Sequence, residues 1–177
     1  MRKNRSDDDK MPDYSYLLEI AGLISHNDGS AMKKLGVCIE DPSGYFKACS
    51  DRYDERGIDI NKCDPDTLYW IALVDELEET GYVVSADWKD DPEQVLWALE
   101  SIKTFDELVG SVLSDMDAED DADVESFGAK INALLEKVCV CWIDIDSDCY
   151  ELAIVTVEAF ERISEIAREN GHSIVKF

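Results

Sequence analysis

Only two histidines, His26 and His172, occur in the 177 residues, and no Cys-x-x-Cys accompanies them. The usual inventory of a zinc site is therefore missing. The nine glycines form neither a phosphate-cradling loop nor a Gly-x-Ser-x-Gly elbow, which removes the customary support for nucleotide-dependent and serine-hydrolase chemistry. No apolar run approaches the ~18 residues that a bilayer span requires, and the start MRKNRSDDDK has no apolar stretch to serve as a secretory signal. These absences predict a cytoplasmic chain without a membrane span. Its six cysteines (Cys38, Cys49, Cys63, Cys139, Cys141 and Cys149) are then reduced thiols rather than disulfide partners. Positive charge is scarce: 17 Lys and Arg face 41 Asp and Glu, a net charge of −24. Direct nucleic-acid binding is not expected, because it relies on cations that neutralise phosphates.

What is abundant is acid, unevenly spread. Residues 75–125 hold eighteen acidic side chains against Lys89 and Lys103, so this stretch carries sixteen of the net negative charges. Clustered carboxylates sum to a field that repels phosphate and attracts basic partners or cations.

With 45% hydrophobic residues the chain can bury roughly two-thirds of its unfolded surface as one domain. Residues 1–12 read as a flexible, polar, mixed-charge arm; SDDDK before Met11 is similar to an enterokinase-type cleavage linker. Residues 13–177 read as a single domain. Helical spacing appears at Tyr14, Leu17, Leu18, Ala21 and Ile24, and a short helix is expected to end at Gly36. Asp-Pro pairs at 41–42, 64–65 and 91–92 each place an N-cap before a proline at the first helical position. The first predicts one helix to Gly57, and the second a helix that buries Trp70, Ile71, Val74 and Leu77. Thr104 and Glu107 have capping-box spacing, and Val124 to Val138 carry an amphipathic stripe.

Strand signals begin at 82–88, bounded by Gly81 and the turn Lys89, Asp90, Asp91. VCVCWIDI and CYELAIV, separated by DSD, have the alternation of an antiparallel hairpin, and Ser173–Phe177 read as a last strand. The predicted class is α+β: a small, mainly antiparallel sheet that includes a C-terminal hairpin, with helices packed on one face.

Asp144, Asp146 and Asp148 stand two residues apart in the hairpin turn, a spacing that lets carboxylates share a hard cation. An EF-hand register from Asp144 would need glycine and glutamate where Cys149 and Val155 stand, so that motif fails and turn-capping is the plainer reading. The run Asp115, Asp117, Glu119, Asp120, Asp121 and Asp123 fails the same test and reads as a solvated loop. Cys139 and Cys141 would share a strand face, with Cys149 across the hairpin, and three such thiols could bind metal, though core packing is the plainer reading. Neither histidine is linked to a thiol, and no catalytic residue or cofactor is implied. Trp88, at a strand end beside Lys89 and an acidic turn, is a candidate exposed aromatic anchor.

LYWIALVDELEETGYVVSADWK at 68–89 and WIDIDSDCYELAIV with its closing helix resemble a bacterial family known as a domain of unknown function. The resemblance implies a compact α+β protein and no activity. In acidity and size the chain is also similar, in a general way, to bacterial immunity proteins of the SUKH type.

Three functions compete on these grounds. The first is a noncatalytic binding protein that docks a basic protein partner on an anionic surface made by Asp75, Glu76, Glu78, Glu79, Trp88 and the acids from Asp115 to Asp123. The second is a carboxylate- or metal-dependent enzyme with its site near Asp144, Asp146 and Asp148. The third is a structural domain whose charge maintains solubility. Oligomeric state is left open.

Overall fold

The computed structural model describes residues 13–113, 116 and 123–177. The N-terminal arm and the acids Asp115, Asp117, Glu119, Asp120 and Asp121 lie outside the described residues. The elements run α1 (Ser15–Ile24), α2 (Gly29–Glu40), α3 (Pro42–Ala48), α4 (Ser50–Glu55), α5 (Pro65–Glu79), β1 (Val83–Asp87), α6 (Pro92–Glu100), α7 (Phe105–Leu108), α8 (Val124–Leu134), β2 (Val138–Asp144), β3 (Cys149–Thr156), α9 (Val157–Glu169) and β4 (Ser173–Lys176). The four strands form one sheet in the order β1-β3-β2-β4, and every pairing is antiparallel.

Local chemistry accounts for most boundaries. All three Asp-Pro pairs cap their helices: Asp41 accepts from the Gly44 amide at 3.0 Å, Asp64 from Thr67 at 3.2 Å and Asp91 from Gln94 at 2.9 Å. Such a cap is worth about 1 kcal/mol. Gln94 returns a bond to the Asp91 amide and completes a capping box. Gly81 ends the α5 segment with a φ of 81°, a conformation that costs a side-chain-bearing residue more than glycine. Thr104, in contrast, makes no capping bond, and the helix behind it is only one turn long. Gly36 sits inside α2, which runs on to Glu40. The helix expected from Pro42 to Gly57 breaks at Cys49 into α3 and α4.

Helices cover both faces of the sheet rather than one. Period-two alternation sends Cys139, Cys141, Ile143, Ala153 and Val155 into a large cluster with α1, α2, α5 and α9. Val140, Leu152, Ile154 and Ala86 enter a second cluster with α6, α7 and α8. Because β2 and β3 are central, they are apolar on both sides. Buried Asn132 fastens α8 to β2: its amide nitrogen donates to the Val140 carbonyl at 2.9 Å and its oxygen accepts from the Val140 amide at 2.8 Å.

Candidate functional site

The acidic end of α5 does not lie on the surface as a row. Asp75 and Glu76 are each 2% exposed, and cations from the preceding helices close over them. Arg56 bonds Asp75 at 2.5 Å, and Arg52 lies 3.4 Å from Asp75 and 3.5 Å from Glu76. The Tyr45 hydroxyl donates to Glu76 at 2.6 Å, and Lys34 stands 3.7 Å from the same carboxylate. Glu79 pairs with both Lys34 and Arg52, while Glu78 reaches Arg56 at 3.8 Å. Sequence reading places these acids on an open face. The structure instead makes Asp75 and Glu76 the ionic hub that joins α2, α3 and α4 to α5. The reason is that α5 is enclosed on nearly every side from Leu68 to Leu77, so its charged positions have no route to water and must be paired.

Anionic character concentrates elsewhere, at the open end of the sheet. Register sets Asp87 of β1 opposite Cys149 of β3, which brings the residue after β1, Trp88, beside the β2–β3 turn. Trp88 is 54% exposed. With Trp142, Tyr150 and Glu125 it lines a groove of about 340 Å³ that Asp144, Asp146 and Asp148 also border. Trp142 and Tyr150 meet edge to face, with centroids 5.2 Å apart. The Tyr150 hydroxyl donates to Glu125 at 2.9 Å; partial burial and that carboxylate push the phenol up to about 12. Asp123 caps α8 through the Ser126 amide at 2.8 Å and acts electrostatically on Tyr150. Four carboxylates thus rim three aromatic rings, and among the described residues the lining contains no lysine or arginine. The Lys89 ammonium stands 4.7 Å from the Trp88 ring centroid.

The hairpin acids serve the turn. Asp144 accepts the Asp146 amide at 2.9 Å, Asp146 adopts a left-handed φ of 58°, and the Ser147 hydroxyl bridges the Cys149 amide and carbonyl. Among the described residues no group of three or more His, Cys, Asp or Glu converges with metal-holding geometry. The three strand cysteines do not gather either: Cys141 lies opposite Ala153, four residues and thus ~13 Å along β3 from Cys149. Burial pushes the Cys139 thiol up to about 11 and Cys141 higher still, so both are inert core groups. His172 stacks on Trp70 at 4.2 Å and contacts the Tyr16 hydroxyl at 3.1 Å, and burial lowers its basicity. Among the described residues, no helix is long and apolar enough to cross a membrane.

On the opposite face of the sheet lies a residue that sequence reading passed over. Glu151, in mid-strand on β3, is 4% exposed and borders a cavity of about 480 Å³ between α5 and the hairpin. Burial, reinforced by the charge of Glu78, pushes its carboxyl up to about 7.

Residues 17–177 match the model of a family described as "Domain of unknown function (DUF6630)". No curated protein and no solved structure matches the chain. The general likeness to SUKH-type proteins gains no support from these comparisons.

Proposed function

The chain belongs to the DUF6630 family, and we propose that it is a noncatalytic binding module that docks a basic protein segment in the groove between Trp88 and the hairpin turn. One observation carries this reading: an exposed indole stands beside Trp142 and Tyr150 within a rim of four carboxylates. Lysine and arginine side chains suit such a place twice over. Their cationic heads are attracted by aromatic faces, an effect worth roughly 0.5–2 kcal/mol, and their stems cover apolar ring surface. The Lys89 ammonium over Trp88 illustrates the same contact within the chain.

The remaining net negative charge speeds encounter, whereas the aromatic groove holds the partner. Asp75 and Glu76 take no part in docking on this reading, because Arg52, Arg56 and Lys34 already answer them.

A Lys/Arg-rich peptide titrated at low and high salt tests the proposal. Any protein this acidic attracts such a peptide, so the comparison must separate place from charge. Asp146→Asn with Asp148→Asn should weaken binding severalfold more than Glu158→Gln with Glu161→Gln, which removes the same charge on α9. Equal losses from the two double variants would reduce the effect to bulk charge and refute the assigned groove.

A further inference from the structure

We infer that the cavity behind the hairpin, floored by Glu151, is a binding site for a small aliphatic primary amine whose ammonium sits on the Glu151 carboxylate. Its floor is separate from the groove proposed for a basic partner, because strand alternation turns Glu151 away from Tyr150 and Trp142, although the turn residues Asp146, Ser147 and Asp148 border both.

The reasoning starts from an imbalance. The other buried acids, Asp75 and Glu76, are met by arginine, lysine or tyrosine. Glu151 is not. Like Asp75 Oδ2 and Glu76 Oε2, its Oε2 has no hydrogen-bond partner among the described residues. Those two have a cation within 4 Å, whereas Glu151 has no ion pair among the described residues; its Oε1 has only a long 3.5 Å contact from the Ser85 hydroxyl. Four acids border the cavity, Glu78, Asp146, Asp148 and Glu151, against one base, Arg56. That arginine is turned to Asp75 and Glu78, and the remaining titratable neighbour is Cys149 of the turn. A buried carboxylate with a free oxygen costs free energy until a donor reaches it.

The walls specify what kind of donor. Ile58, Ile71 and Ile145 supply apolar surface beside the acids, so the complementary ligand has a hydrocarbon stem and a cationic N–H head. A volume of about 480 Å³ lies in the range of small-molecule sites and far exceeds that of a single water. Exposed Asp146, Ser147 and Asp148 mark the mouth, through which a cation is drawn inward. Binding has a proton signature: an amine that enters at a pH below about 7 must displace the proton that Glu151 holds there.

Calorimetry with n-butylammonium, in amine-free buffers of different ionisation enthalpy, tests the site. Wild-type protein should bind it and release up to one proton at about pH 6. Butyrate and tetramethylammonium should not bind, the first for its charge and the second for its lack of N–H donors. Glu151→Gln should weaken binding by about tenfold or more. Ser85→Trp, which fills the cavity from the exposed edge strand and keeps Glu151, should do the same, whereas Trp88→Ala should have no effect. Absence of binding to wild type, equal binding by Glu151→Gln, or binding of butyrate would each overturn the inference. A change in Trp88→Ala would contradict the placement of the amine on the Glu151 side of the turn.

Discussion

Replacing Glu151 by glutamine should reshape the pH dependence of stability, and the size follows from its surroundings. The carboxyl moves from an ordinary 4.5 to about 7 because burial, with Glu78 and Asp75 nearby, disfavours its charge more than Arg56 favours it. At ~1.4 kcal/mol per tenfold change in proton affinity, that displacement is worth about 3 kcal/mol. The folded-state value lies above the unfolded one, so the native protein binds the proton more tightly. Stability from this group is therefore full below about 4.5, declines as pH rises through about 7, and stays low above it. Glutamine keeps the shape and the acceptor, adds a donor for the cavity and cannot ionise. Urea unfolding of both proteins at about pH 4.5 and about pH 8 isolates the effect, because titrating groups that do not interact with Glu151 cancel in the difference. Glu151→Gln should be more stable than wild type by about 2–3 kcal/mol at the higher pH and nearly equal to it at the lower. A stability difference that does not change with pH would show that Glu151 is solvated or paired, and would refute the reasoning.

The hub on α5 predicts the opposite response to loss of its cation. Arg52→Ala leaves Asp75 and Glu76 under-compensated in the interior and should cost about 3 kcal/mol in urea unfolding; a loss below about 1 kcal/mol would mean the pairing is merely superficial. Asn132→Ala strips the Val140 amide and carbonyl of their bonds and should cost about 2–3 kcal/mol, with faster amide exchange at Val140 as the local readout. Unchanged exchange there would count against the bridge. Gly128→Ala sets a methyl 2.5 Å from the Phe177 ring, so Phe177 must move aside, at a cost of about 1–2 kcal/mol read from the thermal midpoint.

Much of the fold is legible because the signals are local. Asp41, Asp64 and Asp91 before prolines announce helix starts that need no tertiary knowledge, and the alternation around DSD marks a hairpin that the register bears out. What escaped reading depends on partners distant in sequence. Asp75 to Glu79 look solvated until Arg52, Arg56 and Lys34 are brought to them, and nothing local states that α5 is enclosed on both sides. Helices on the second sheet face are invisible to a pattern that cannot say which side of a strand each one covers.

The candidate site divides in the same way. Trp88 stands out as an aromatic at a strand end, and the hairpin acids stand out by spacing. Their meeting depends on β1 pairing with β3, a contact across more than sixty residues. Glu151 did leave a signal: period two puts it on one side with Ala153 and Val155, where a carboxylate is out of place.

Four indole N–H resonances offer the most direct test of the groove. On titration with a Lys/Arg-rich peptide, the Trp88 and Trp142 signals should shift together. Trp97, 74% exposed on α6 and outside the groove, should hold still. Movement of Trp97 to the same extent as Trp88, or no movement of Trp88 at saturating peptide, would contradict the assignment.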